Sequence, residues 1–295
     1  MTRTVAITGI SALTGHGRGL APIAAASETR QVLGELPLRE VLKERAPRRL
    51  DRLSQIAVIA SAEALSDSGR THEPLTGEIS ERAGVFFATS YGNLAGTIGF
   101  LQKLHEKGPR FASPLDFPNL VLSAPTGTLS IQFGLRGELM AFNQNDLCGV
   151  QALCAAYEAI TSDRLDLVLC VAAEEKSAAR DACSARPAAQ LGEGGGGVLL
   201  EAKEGDVVIA GFGMAGGSRA LADASQLATG GVSFDLAIGA GRGALTLAPR
   251  MGFIDGHGVI EVAYAAHLVR TREARSVLVC AEESGNAAAV WIRSV

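Results

Sequence analysis

Several chemistries are missing from this sequence. There is no CxxC pair among its five cysteines and no HExxH or other metal-binding spacing among its five histidines, so a zinc site or a thioredoxin-like redox motif is not expected. The glycine run Gly194–Gly197 is not followed by Lys-Ser/Thr, so it is not a phosphate-binding loop and reads instead as close strand packing. No basic stripe marks a nucleic-acid surface: the net charge is −4. No polybasic segment or apolar run near 18 residues points to a membrane. The opening "MTRTVAITGISALTG" is broken by Thr and Gly, and reads as a first β-strand and loop rather than a signal peptide. The scattered single cysteines, 148, 154, 170, 183 and 280, fit reduced thiols in a cytoplasmic protein.

What the chain does have is small apolar bulk. Hydrophobic residues make up 47% of its 295 positions and glycine accounts for 35 of them, so a large core packed by close backbone approach is expected. A repeat is visible in it. "DLCGVQALCAAYEAITSDRLDLVLCVAAEE" from Asp146 aligns without gaps with "DGHGVIEVAYAAHLVRTREARSVLVCAEES" from Asp255, at an offset of 109 residues. "TVAITGISALTG" and "DVVIAGFGMAGG" open the two halves, about 1–202 and 203–295. Each half reads as strands alternating with helices, the repeated helix being apolar nearly all round. The expected fold is α/β, five layers in the order α-β-α-β-α, with the two repeated helices sandwiched between two sheets. Residues 1–295 are expected to form one unit, because separating the halves would expose those helices.

The stretch "LMAFNQNDLCGVQAL" turns from a strand into a buried helix, a place suited to a nucleophile because the helix N-terminus favours an anion. Asp146 and Cys148 are the candidates there. Asp is a favoured helix N-cap, and its twin Asp255 repeats it, so capping is expected of both. Cys148 is two residues later, roughly 200° round the helix, with no histidine in register to activate it. His257, at the start of the second helix, reads as a packed, hydrogen-bonded residue. Glu174, Glu175, Glu282 and Glu283 end corresponding strands and read as solvated or capping acids.

The order of motifs resembles the β-ketoacyl synthases of the thiolase fold. "TVAITGISALTGHGRG" is similar to their opening strand, "RRLDRLSQIAVIASAEALSDSG" to their first long helix, "GVFFATSYGN" to the strand and turn that follow, "SPLDFPNLVLSAPTGTLSIQFGLRG" to the segment that forms the dimer interface and acyl pocket, and "LGEGGGGVLLE" to their Gly-Glu-Gly turn. The resemblance implies a Cys nucleophile and two histidines. In register with Gly149 and Ala152 the nucleophile position holds Asp146; the first histidine position holds Ala240; counting back from Gly258, the second holds Gly252. A C-terminal Gly-Phe-Gly-Gly-x-Asn gate reads here as "AEESGN", and the chain looks shortened after Glu175, around 215–233 and between Thr246 and Gly252.

With all three positions replaced, the resemblance implies a non-catalytic companion, similar to the chain-length factor that pairs with an active ketosynthase in type II polyketide synthesis. Familiar chain-length factors carry Gln at the nucleophile position; Asp146 suggests a divergent branch, such as one serving polyene pathways. The implied partners are a ketosynthase subunit in a heterodimer, and an acyl chain carried on acyl carrier protein. No cofactor and no metal is expected, nor any nucleic-acid or membrane partner. Tunnel and interface residues would be Phe111, Phe117, Leu120, Leu122, Thr126, Leu129 and Phe142. The strand at 138–144 would pair across the interface, because a long apolar edge left unpaired aggregates. Two other classes stay open: a thiolase-fold acyltransferase or hydrolase using Cys148 or His257, and a stand-alone acyl-binding module.

Overall fold

A computed structural model describes residues 3–47 and 49–295. Its strands are β1 (Val5–Thr14), β2 (Gly17–Arg18), β3 (Ala83–Ala88), β4 (Leu139–Phe142), β5 (Leu167–Glu174), β6 (Gly194–Ala202), β7 (Val207–Gly216), β8 (Leu236–Gly239), β9 (Ser276–Glu283) and β10 (Asn286–Ser294). Its helices are α1 (Ala21–Ala25), α2 (Leu38–Leu42), α3 (Arg52–Asp67), α4 (Glu78–Glu81), α5 (Leu94–Lys107), α6 (Ala124–Phe133), α7 (Cys148–Thr161), α8 (Ala178–Cys183), α9 (Ala220–Thr229), α10 (Ala248–Met251) and α11 (Gly258–Arg270).

The strands run in the order β4-β3-β5-β6-β1-β7-β10-β9-β8, with β2 hanging from β1. Two separate sheets were expected; instead β1 and β7 pair antiparallel at Val5–Ile209 and Ala6–Val208, joining everything into one continuous sheet. That seam is only two residue pairs long, so the strands on either side fold away from each other around the helices between them. Three cores result. The largest encloses α7 and α11 and takes side chains such as Phe86, Val198, Ile209 and Val290 from both sides of the seam. A second lies under α3 and α6 on the outer face of β3, β5 and β6. A small third lies under α9, against Leu278 and Ala289. The layers therefore stack helix, sheet, helix pair, sheet, helix.

Glycine decides how closely these layers approach. A Cβ on Gly195 would come 2.7 Å from Ile56 Cγ2 of α3, and one on Gly196 would come 2.8 Å from Ile260 Cγ1 of α11. The glycine run in β6 thus lets helices press on both faces of the strand. The two central helices touch through glycine as well. A Cβ on Gly258 would meet the Val150 amide nitrogen at 2.8 Å, and one on Gly149 would meet that of Val259 at 2.9 Å. Both helices end in a non-glycine residue with positive φ, Asp163 (60°) and Arg272 (64°), which are 109 residues apart like the sequences that precede them.

The α3 helix starts at Asp51, whose carboxylate accepts from the Ser54 amide at 2.9 Å. It is apolar along most of its length, because β1, β5 and β6 cover one side and α2 and α6 much of the other. By contrast, α5 buries none of its residues fully. The outermost strand, β4, has three of its four residues exposed.

Candidate functional site

The turn from β4 into α7 is tight. Asn145 adopts φ 40°, a left-handed value that asparagine tolerates better than most residues. The Asn143 side-chain amide donates to the carbonyls of Thr89 (3.0 Å) and Ser90 (2.7 Å), which pins the turn to the end of β3. Residues Asn145–Leu147 form a 3-10 turn, and α7 follows from Cys148.

This turn places Asp146 and Cys148 in different surroundings. Asp146 lines a cavity of about 160 Å³ together with Gly239, Ala240, Phe253, His257 and Glu261. Two of the three positions matched to the expected catalytic residues, 146 and 240, therefore converge on one cavity. Gly252 sits just outside it, with φ 74° and packed against Gly192, and the ring of the next residue, Phe253, faces in.

Neither Asp146 nor Asp255 caps a helix, contrary to expectation. The N-cap residues of α7 and α11 are Leu147 and His257, and neither helix has a side-chain cap. Each aspartate instead meets an arginine. Asp146 Oδ2 accepts from Arg186 Nη2, and that guanidinium stacks 3.7 Å from the centroid of the Phe253 ring. Asp255 Oδ2 accepts from Arg180 Nη2 at 2.7 Å, and both side chains are buried. The missed signal was the arginine pair in "AARDACSAR", six residues apart on the segment that crosses both helix N-termini.

The cavity also contains an imidazole. His257 Nδ1 lies 3.1 Å from the Ile254 carbonyl oxygen, and Nε2 lies 3.7 Å from Glu261 Oε2. Burial pushes the Glu261 carboxyl up; His257 opposes that shift and Asp146 reinforces it. Cys280 lines the same cavity, but its thiol partners the Ser225 hydroxyl at 3.7 Å, and burial pushes it up to about 11. The sulfur and the imidazole thus have separate hydrogen-bond partners. Among the described residues no cluster of His, Cys, Asp or Glu is arranged to hold a metal ion.

Cys148 points away from this cavity into the core. Its Sγ donates to the Asn145 carbonyl at 3.0 Å, and it is fully buried. Burial, reinforced by the nearby Glu174 carboxylate, pushes the thiol up to about 12. A thiol so held is about one part in ten thousand thiolate at pH 8, which removes the form that attacks. In the native chain at pH 8, iodoacetamide should alkylate exposed Cys183 within minutes and leave Cys148 intact until denaturant is added, as read by peptide mass spectrometry. Equal labelling of both in the native chain would refute the buried-thiol account.

The strand-end acids differ from expectation too. Glu174 and Glu175 are 0% and 5% exposed, interior rather than solvated. Glu174 Oε1 accepts from the Thr89 hydroxyl at 2.9 Å and from the Ser90 amide. Glu282 and Glu283 remain at the surface.

Of the residues assigned to a tunnel or interface, Phe111 (62% exposed), Phe117 (59%) and Leu122 (39%) lie outside, and Leu120 is half-buried. Phe117 rests on Phe100 of α5, ring centroids 6.0 Å apart. Phe142 is half-buried against Phe86 at 5.9 Å. Thr126 and Leu129 face inward, and Leu129 belongs to the core beneath α3 and α6 rather than to the exposed face. Leu101, Leu115, Val121, Ile131, Leu139 and Met140 are exposed as well. Among the described residues, no helix is long and apolar enough to cross a membrane.

Comparison with known proteins adds to this geometry. Residues 37–206 match the family model for the N-terminal domain of β-ketoacyl synthases. The 3-oxoacyl-[acyl-carrier-protein] synthase 2 of Vibrio harveyi is 27% identical over 251 residues, covering 74% of this chain and 59% of the relative. That of Vibrio cholerae serotype O1 is 28% identical over the same coverage. The chain thus spans about 59% of the length of these curated relatives. In solved structures, a β-ketoacyl synthase from Burkholderia phymatum matches with TM-score 0.81 at 18% identity, covering 100% of both chains. A type II PKS acyl-carrier protein in complex with its ketosynthase matches at 0.82 and 17%, again with full coverage. The ishigamide ketosynthase/chain length factor matches at 0.80 and 22%, covering 99% of both chains. These likenesses identify the fold as that of the ketosynthases.

Proposed function

The chain belongs to the β-ketoacyl synthase family, and on that premise we propose that it is a non-catalytic, chain-length-factor-like subunit of a type II polyketide ketosynthase heterodimer. The observation that carries the reading is the cavity at the α7 entrance. Where the family pattern calls for a thiol, a carboxylate stands locked to Arg186; where it calls for the first imidazole, Ala240 presents a methyl. A carboxylate paired with a guanidinium cannot take an acyl group from a thioester and hold it as a thioester. Acyl transfer would fall to the partner's cysteine and histidines.

The apolar outer surface supports the second half of the reading. The β4 edge offers unpaired backbone groups beside exposed Leu139 and Met140. Such an edge is a template for another strand. The loop at 109–122, tied to α5 by hydrogen bonds from the Asn93 amide to Asn119 O (3.1 Å) and from the Thr97 hydroxyl to Leu120 O (3.4 Å), would lay Phe111, Phe117 and Leu122 against the partner's acyl tunnel. A ring filling the tunnel end excludes methylenes that would each gain about 0.8 kcal/mol by burial.

The test is co-expression with an intact β-ketoacyl synthase from the same gene neighbourhood. The two chains should co-purify, and the pair should make a product of fixed length with acyl carrier protein. Phe117→Ala should lengthen that product by one or two two-carbon units. A chain that stays a well-behaved monomer alone and ignores the synthase would overturn the heterodimer; substitutions across the loop that alter yield but never length would overturn the ruler.

A further inference from the structure

A cleft of about 940 Å³ lies at the seam between the two parts of the sheet. It is at the C-terminal end of α11, about 20 Å along that helix from His257 and the cavity. Its floor is a β-bulge: the pairing of β1 with β6 passes from Ile7 to Gly9 and leaves Thr8 without a partner residue. Bulges recur where a strand must open towards a binding site. Around this floor stand Lys203, Arg270, Arg272 and Arg275, against a single acidic lining side chain, Asp206. The chain as a whole has net charge −4, so the cleft reverses the sign of the molecule.

Two of the four cations are already matched. Arg270 pairs with Asp67 at 2.5 Å and donates to the Ile7 carbonyl at 3.2 Å; Lys203 lies 3.3 Å from Glu201. Among the described residues, Arg272 and Arg275 have no carboxylate within ion-pair distance, and both are exposed. Offsetting the helix dipole accounts for Arg270 at the last turn of α11. It does not account for Lys203 and Arg275, which belong to other segments. Arg272 adopts a left-handed backbone conformation (φ 64°) in the turn after α11.

We infer that this cleft is a binding site for a small organic diphosphate. Two unmatched guanidiniums suit an anion of two charges, and guanidinium forks match phosphoryl oxygens geometrically. The volume exceeds what a diphosphate fills, and Ile7, Val207, Val269 and Ala274 give an apolar wall for the organic remainder.

Isothermal titration of the full chain at low ionic strength, with inorganic pyrophosphate and with ADP as probes, tests the inference. Both should bind saturably, one per chain, and more tightly than inorganic phosphate. The pair Arg272→Asn and Arg275→Gln should weaken both about tenfold or more, as loss of charge-assisted hydrogen bonds does. Asn is chosen because it tolerates the left-handed φ; circular dichroism checks that the fold is kept. Arg219→Gln, on a remote exposed arginine (78% exposed), should change nothing. Absence of saturable binding, binding that survives in the double variant, or equal affinity for inorganic phosphate would overturn the assignment.

Discussion

Asp255→Ala should destabilise the chain by about 3–5 kcal/mol, the usual cost of removing one partner from a buried ion pair. For a domain of this size that is a fall in Tm of about 5–8 °C. The size follows from what Arg180 is left with. Its guanidinium is wholly buried and also donates to the carbonyls of Gly192 (2.6 Å), Phe253 (3.0 Å) and Glu175 (3.2 Å). Carbonyl dipoles satisfy hydrogen bonds but do not neutralise a charge. Arg180→Met should cost as much, because it strands Asp255 and frees three carbonyls that join the 175–193 segment to the 253–255 segment. The double variant Arg180→Met/Asp255→Leu should lose less than the sum of the two single changes. Thermal unfolding of the three variants is the measurement; additive losses would show that the pair is not coupled.

Glu174→Gln should flatten the pH dependence of stability. Burial pushes this carboxyl up to about 8 from an ordinary 4.5, with Asp255 adding to the shift and Arg180 opposing it. A carboxyl raised in the folded state stabilises fully below the unfolded value and loses that contribution as pH climbs to the folded one. Stability should therefore fall between about pH 4.5 and 8, by on the order of 4 kcal/mol from this group. The glutamine keeps the oxygen that accepts from Thr89 and Ser90 and puts an amide where the other oxygen has no partner. Urea unfolding at pH 5.5 and 8.5 reads the effect. Glu175 and Glu261 are raised as well and act in the same direction, so the difference between wild type and variant isolates Glu174. Identical slopes in the two proteins would sink the account.

The alternation of strands and helices was readable because it depends on residue type and spacing along the chain. "LMAF" is β4, and the helix from Cys148 runs to Thr161. The glycine run read as close packing sits between α3 and α11. The partners of Asp146 and Asp255 were not readable. Capping is a local property and was the better local guess; pairing with Arg186 and Arg180, 40 and 75 residues away, depends on where a separate segment crosses. The burial of Glu174 and Glu175 is hidden from the sequence for the same reason. A strand end is normally wet, and only the layers packed over this one make it dry.

The sequence alone determined the alternation of strands and helices and the apolar central helices, since periodicity and spacing are carried by the chain itself. Tertiary structure decided that 146 and 240 share a cavity, that Cys148 faces the core and that β4 is left at an edge. Those outcomes depend on electrostatics and burial between segments far apart in sequence, and they exist only once the sheet has closed around its two helices.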